Sequence, residues 1–447
     1  MYDLIVLGAG PGGYEAAAHA GAMGKKVALI EKEYIGGVCL NTGCIPTKTL
    51  LHSAKTLQLC SEAENYGIKT GKLEVDYEKI LKRKKEVVSL LKKGVEGKLK
   101  RSGVEVLWGK GQLLSKDTVA VNGKSYKAKN ILLATGSKPV VPPIEGINSS
   151  NVLDSTTILE LDKIPKSMAI IGAGAIGLEF AYFFNKMGTE VKIIEILPNI
   201  AYQMDTEITS YLRKSLENEC IDFSLGSEVT RIDDKGILCT RENGKTEMIQ
   251  SEFVLNATGR KPNLENIGLD EIGILYDSGG IKTDLQGKTS VPGIWACGDV
   301  TGRCLLAHVA TREGIVAVNN MLGKRDIMRY KAIPNVIYTN PEVASVGVTE
   351  QILKQEEICY KKSILSLNIS GRFIAENEKK VGYVKVLTGR EFHEILGVHI
   401  IGGAASEMIF GIAALIEMEM RVEDIKEIVF PHPTISEAVK EVICQIK

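Results

Sequence analysis

Cys39 and Cys44 stand five positions apart in the stretch GGVCLNTGCIPTK, Gly36 to Lys48. Thiols so placed can hold a metal, lie inert in a core, or open and close as a disulfide. Zinc needs two further ligands, and the nearest candidates, His52 and Cys60, fall eight residues apart on one expected helix. At about 1.5 Å rise per residue they are roughly 12 Å apart, too far to share an ion, so no metal is expected. The run CIPTKTLLHSAKTLQL reads as that helix, with Pro46 in its first turn, where a missing N–H costs nothing. Cys44 then sits at a helix N-terminus, whose dipole favours the thiolate. One activated thiol beside another favours a redox-active disulfide over two inert cysteines. Lys48 adds a cation one turn along. A second group lies far down the chain, where Pro431 and Pro433 hold His432 in an extended conformation, the fixing a general base needs. Glu437 can orient that imidazole or cap the terminal helix through Thr434-x-x-Glu437. The residues alone leave both open.

The elements that must position these groups are repeated. YDLIVLGAG is an apolar strand running into Gly8-x-Gly10-x-x-Gly13, followed by a helical stretch and a second strand that ends on Glu31. SMAIIGAGAIGLE repeats the pattern with Gly172, Gly174 and Gly177, and its second strand ends on Glu195. The interval from first glycine to acid is 23 in both copies. The glycines allow a tight turn and close backbone approach to a pyrophosphate on the helix N-terminus, and the acid accepts from a ribose hydroxyl. One copy is a weak signal; two at one spacing predict two bound dinucleotides. NILLATGS and FVLNATGR are buried-strand patterns ending in small residues, and GIWACGDV ends on Gly298-Asp299. Small residues there let the chain pass close to a cofactor, although each alone is also ordinary turn chemistry.

The chain has 447 residues, 44% hydrophobic and 25% charged, with formal net charge zero. Several domains are expected at this length. The balance predicts no basic block and no footprint for nucleic acid or an anionic membrane. No apolar run reaches the roughly 20 residues of a bilayer span. The opening lacks a basic leader or cleavage site, and nine scattered cysteines suit a reducing compartment, so a cytoplasmic location is expected.

GAGPGG, GGVCLNTGCIPTK, LLATGS, IGAGAIGLE, NATGRKPN, ACGDV, LLAH and HPTISE, in that order and spread end to end, resemble the pyridine nucleotide–disulfide oxidoreductases. The resemblance implies an α/β fold of two doubly wound, Rossmann-like nucleotide-binding domains and a C-terminal α/β dimerisation domain. Its expected parts are 1–142 for FAD, 143–262 for NAD, 263–330 completing the FAD site, and 331–447 as the interface. It implies that FAD meets Gly8, Gly10, Gly13, Glu31, Lys48, Gly111, Thr135, Gly136, Ser137, Asp299 (at the ribityl chain), Leu306, Ala307 and His308. NAD would meet Gly172, Gly174, Gly177, Glu179, Glu195, Val229 and Gly259. Cys44 would face the flavin and Cys39 exchange with substrate, with Lys48 and Glu179 beside the flavin. His432 would be the acid–base, oriented by Glu437 and reaching the site from the other subunit of a homodimer. The implied reaction is oxidation of a dihydrolipoyl group on a carrier protein or lipoyl domain, with NAD as acceptor. Glutathione-type members prefer NADP, against which Glu195 argues; mercuric-type and large thioredoxin-reducing members carry a second C-terminal redox pair, where this tail has Cys444 alone. An interaction protein holding both fingerprints would not need Cys39, Cys44 and His432 together. Thr47 where serine is common, and AHVATREG in place of a more acidic run, depart from the pattern.

Overall fold

The computed structural model describes every residue except Glu242, Lys379 and Lys447. The chain folds into two compact units. The first comprises Met1–Thr49, Glu78–Val140 and Gly259–Arg329; the second comprises Leu50–Tyr77, Val141–Thr258 and Tyr330–Lys447.

In the first unit, strands Glu105–Trp108, Val27–Glu31, Tyr2–Leu7, Lys124–Leu133 and Ile294–Ala296 lie side by side in that order, all parallel. Segment 263–330 joins 1–142 here because Ile294 pairs with Ile131 and Ala296 with Leu133. Strand side chains alternate between two cores, Leu4 and Val6 into one, Ile5 and Leu7 into the other. Helices cover one face, and strands Gly111–Ser115 and Thr118–Val121 with segment 264–281 cover the other, so all of Val27–Glu31 is buried. The helix Pro11–Ala22 lies against the helix Ala307–Met321. A Cβ on Gly314 would lie 2.5 Å from the Gly12 carbonyl oxygen, so the two backbones touch only because both positions lack side chains.

Composition predicted no basic block, and here the structure corrects the expectation. The helix Tyr77–Arg101 carries ten lysines and arginines against three glutamates. Its charge is cancelled elsewhere in the chain, which is why a net balance of zero concealed it.

The second unit contains a parallel sheet in the order Asp222–Leu225, Glu190–Glu195, Ser167–Ile171, Phe253–Asn256, Val152–Asp154. The helix Ala175–Lys186 buries Leu178, Phe180, Phe183 and Phe184. A five-stranded antiparallel sheet follows, ordered Asn335–Ile337, Val343–Gly347, Ile395–Ile401, Tyr383–Gly389, Tyr360–Ser366. The helix Ala405–Glu417 buries Ala405, Ile409, Ile412 and Ile416, the spacing of one face. Its apolar surplus lies outside: Phe410 is 77% exposed. No helix among the described residues is long and apolar enough to cross a membrane.

Candidate active site

The first fingerprint loop is built from backbone. Gly8 takes φ 101°, and its N–H donates to the Ile30 carbonyl at 2.8 Å. A Cβ there would meet the Ala134 oxygen at 2.3 Å, and one at Gly13 would meet the Gly8 oxygen at 1.8 Å. Gly10, by contrast, has nothing within 4 Å of that position. The loop is therefore closed toward the sheet and open outward. Gly10 caps the following helix with no side chain occupying its first-turn amides, which suits an anion at the positive helix end. Glu31, buried at the end of its strand, accepts from the Ala9 N–H at 2.7 Å and the Glu33 N–H at 2.8 Å.

The second loop repeats this geometry. Gly172 takes φ 105°, its N–H reaches the Ile194 carbonyl at 2.8 Å, and a Cβ would meet the Ala257 oxygen at 2.5 Å. Gly177 is closed at 2.1 Å by the Gly172 oxygen, and Gly174 is open. Glu195 accepts from Ala173 N–H at 2.7 Å and Leu197 N–H at 2.9 Å. Glu179, 3% exposed, accepts from the Tyr338 N–H at 3.1 Å. Val229 turns its side chain into the core with Ala169 and Ile171, at a bulge in its strand, which leaves its backbone as the part able to meet a ligand. Gly259 has φ 126° and open space at its Cβ.

The thiol segment is fastened to the first loop. Gly36 donates to the Ala9 carbonyl at 2.9 Å, and a Cβ on Gly37 would lie 2.5 Å from Gly10 Cα. Cys39 lies on a short helix, Gly37–Thr42, and Cys44 is the first residue of the helix Cys44–Ser61. Both are partly exposed thiols in hydrogen-bond contact. That bond to Cys44 pushes the Cys39 thiol well above its ordinary range, burial adds to the shift, and the Lys48 ammonium opposes it. The pair thus shares one negative charge at most. Tyr14, on the fingerprint helix, has its phenol raised to about 12, chiefly by burial and secondarily by Glu15.

Two strand ends close around the same unit. Strand Ser137–Pro139 pairs antiparallel with Arg260–Pro262. Arg260 Nε donates to Ser137 Oγ at 2.8 Å and its Nη2 to the Ser137 carbonyl at 2.7 Å, so the serine proton turns to Asp299. Burial raises the Asp299 carboxyl, and the Ser137 bond counters it. Thr135 Oγ1 donates to the Asn263 carbonyl at 2.9 Å, and Asn263 N–H to that of Gly136 at 2.9 Å. The buried Glu313 accepts from Gly298 N–H at 2.6 Å, fixing the turn before Asp299. Leu306 caps the helix that Ala307 and His308 begin. A Cβ on Gly111 would press on Ile30 and Leu7 at 3.1 and 3.2 Å, at the carboxyl ends of their strands. Arg260, Asn263 and Glu313 had no role in the sequence reading. Arg260 and Asn263 stood inside NATGRKPN, but their partners are more than 120 residues away.

His432 and Glu437 meet in the second unit, His432 Nδ1 lying 2.9 Å from Glu437 Oε1. The other oxygen accepts from the Thr434 N–H at 2.8 Å. The orienting contact is thus present, and the second oxygen takes the Thr434 amide, but the capping box itself is not formed. The terminal helix starts at Glu437 itself, and Ser436, not Thr434, occupies the cap position. The Thr434 amide first, then His432, holds the Glu437 carboxyl below its ordinary range. The His432 side chain is 81% exposed. Among the described residues no cluster of three His, Cys, Asp or Glu side chains is placed to hold a metal ion.

Residues 2–314 match the family described as pyridine nucleotide-disulphide oxidoreductase, and residues 333–443 match its dimerisation domain. A dihydrolipoyl dehydrogenase of Mycoplasma pneumoniae is 38% identical over 451 residues, covering 99% of this chain and 97% of the relative. One of Chlamydia muridarum is 39% identical over 445 residues, covering 98% and 95%. Among solved structures, the HOCl-induced flavoprotein disulfide reductase RclA of Escherichia coli superposes with a TM-score of 0.88 at 26% identity, covering all of both chains. LpdA of Mycobacterium tuberculosis gives 0.91 at 24%, covering 99% of each, a likeness of fold.

Proposed function

The chain belongs to the pyridine nucleotide-disulphide oxidoreductase family, and from that premise we propose that it is a dihydrolipoyl dehydrogenase, oxidising a carrier-bound dihydrolipoyl group to its cyclic disulfide with NAD. The observation that carries this reading is the Cys39–Cys44 contact, mounted by Gly36 and Gly37 on the first fingerprint loop. The open outer sides of Gly10 and Gly174 fit FAD and NAD respectively. Bound there, FAD would supply two-electron transfer from the cysteine dithiol to NAD.

The residues of the chain do the sulfur chemistry. In the resting enzyme Cys39 and Cys44 form a disulfide. With Nδ1 engaged by Glu437, His432 offers Nε2 as the base that takes a proton from the substrate dithiol. The substrate thiolate attacks Cys39 Sγ, and Cys44 leaves as a thiolate at its helix N-terminus. The second substrate thiol then displaces Cys39, releasing the cyclic disulfide and leaving Cys39 and Cys44 as a dithiol. Glu195 accepts from ribose hydroxyls and repels a 2′-phosphate, which makes the acceptor NAD.

We place His432 in the site of a second copy of the chain. Its exposure and that of Phe410 support this, as does the match of 333–443 to a dimerisation domain. The partner that delivers substrate is a lipoyl carrier or lipoyl domain, and the compartment is the cytoplasm. Mixed dimers test the assignment. A Cys44→Ser chain paired with a His432→Ala chain combines both defects in one site and leaves the other intact. About half of the wild-type turnover per dimer returns if the site is shared. No recovery in a verified heterodimer refutes the shared site.

A further inference from the structure

The helix Tyr77–Arg101 has a face that the activity above does not use. Part of its apolar side packs inside the first unit: Leu99 is 1% exposed and joins the core with Leu4 and Val6, and Val95 packs against that core, while Leu91 stays 41% exposed. At about 100° per residue, Lys82, Lys93 and Lys100 fall in one line on the opposite side. Their spacings of 11 and 7 residues put them roughly 16 and 10 Å apart. Lys85 and Lys92 flank the line on one side, Arg83 and Arg101 on the other. Lys82, Lys85 and Lys93 border a shallow trough of about 730 Å³. Leu90 lies in it, 71% exposed.

These cations differ from the rest of the surface. Elsewhere lysines commonly meet carboxylates of their own chain, as Lys129 meets Asp3 at 2.8 Å and Lys163 meets Glu252 at 2.6 Å. Among the described residues, none of Lys82, Arg83, Lys85, Lys92, Lys93, Lys100 and Arg101 has an acidic partner within ion-pair distance. In a chain with 55 cations and 55 anions that is a local surplus without internal compensation. A membrane-surface helix would need a continuous free apolar face, whereas here Leu90 and Leu91 are the exposed large apolar residues of a helix that carries ten cations. A phosphate backbone would meet Glu78 and Glu86, which share the trough with the lysines, whereas a protein surface can set its own charges against both signs.

We propose that this helix is the docking surface for an acidic face of the protein that carries the dihydrolipoyl group, with Leu90 as its apolar contact. The proposal rests on the function assigned above, since that substrate arrives on a protein. Opposite charge raises the encounter rate, an effect that salt screens.

The test uses the FAD-loaded enzyme and two substrates, free dihydrolipoamide and a lipoylated domain of net negative charge. Failure of the wild type to oxidise free dihydrolipoamide with NAD would sink the functional reading itself, before docking is at issue. Given that activity, the Lys82→Glu, Lys93→Glu, Lys100→Glu variant is expected to keep free dihydrolipoamide kinetics. Its KM for the lipoylated domain rises about tenfold, and the salt dependence seen with wild type is flattened. If reversal disturbs folding, the triple Lys→Gln variant takes its place, with a smaller rise of about threefold. Replacing the domain's surface carboxylates by amides should weaken wild type and leave the variant unmoved. An unchanged KM for the lipoylated domain in the correctly folded variant overturns the proposal. So does loss of anionic-vesicle or duplex-DNA binding in the variant while carrier kinetics stay constant.

Discussion

The two fingerprint loops agree to within a few degrees and tenths of an ångström, yet they stand in different surroundings. Gly8 and Gly172 take φ 101° and 105°, and both acids accept the loop amide at 2.7 Å. What differs is what is attached. The first loop holds Gly36 and Gly37, and through them two thiols; the second is followed by ILPNI, with no thiol. The seventh residue after the first glycine is glutamate in both copies, with opposite fates. Glu15 pairs with Lys98 at a partly exposed site, side chains 22% and 42% exposed, whereas Glu179 is buried and takes a backbone N–H from Tyr338. A shared backbone sets where a dinucleotide can lie, and the grafted segments set what happens to it.

The largest effects should come from filling the closed glycines. Gly13→Ala places a Cβ 1.8 Å from a carbonyl oxygen and Gly177→Ala one 2.1 Å away, so each loop must move. Gly13→Ala is expected to purify without flavin. Gly177→Ala should keep its flavin spectrum and raise KM for NAD by about 100-fold, some 2.7 kcal/mol. Identical phenotypes would erase the distinction between the copies.

Acid should act on the second unit through His399. This imidazole is 1% exposed, its Nε2 lies 3.0 Å from the Val348 carbonyl, and its Nδ1 is buried without a partner. Asp205, Glu350 and Lys385 surround it as a buried ion network, with Lys385 Nζ 2.9 Å from Asp205 Oδ1. Burial lowers the His399 pKa to about 4, Asp205 opposing. Between pH 6.5 and about 4 the unfolded chain binds a proton that the folded chain refuses. Stability therefore falls as pH falls through that window, by roughly 3 kcal/mol in full. A melting series should show the slope, and His399→Gln should flatten it.

Coenzyme choice should be nearly as large. Glu195 predicts NAD over NADP by about 100-fold in kcat/KM, since a 2′-phosphate meets an uncompensated carboxylate. Comparable rates with both would remove Glu195 from that role. The smallest effect separates the paired glutamates. Glu15→Ala should cost under about 1 kcal/mol in urea unfolding. Glu179→Ala, which removes a buried carboxylate and the acceptor of the Tyr338 N–H, should cost about 1–3 kcal/mol.

Both loops, both acids and the thiol helix were legible in the sequence because each is local: glycine spacing, strand ends and a proline in a first turn. The Arg260–Ser137–Asp299 chain was not, because it joins residues more than 120 positions apart through a strand pairing that no local period encodes. Glu437 was half legible. Its capping spacing and its histidine were both visible, but that Ser436 takes the cap position while Glu437 splits its oxygens between His432 and the Thr434 amide is a matter of three-dimensional geometry. The basic helix was missed for another reason: a whole-chain charge sum averages over surfaces that never meet.

The account turns on Cys39 and Cys44 being the pair that opens and closes. Alkylation with iodoacetamide, read by mass spectrometry before and after one equivalent of dihydrolipoamide per FAD-loaded subunit without oxygen, tests this directly. Exposed Cys220, Cys359 and Cys444 should label equally in both samples, and buried Cys239 and Cys297 in neither. The peptide holding Cys39 and Cys44 should be unlabelled in the oxidised enzyme and labelled after reduction, at Cys39 ahead of Cys44. Equal labelling of that peptide in both samples would contradict the redox disulfide, and with it the proposed reaction.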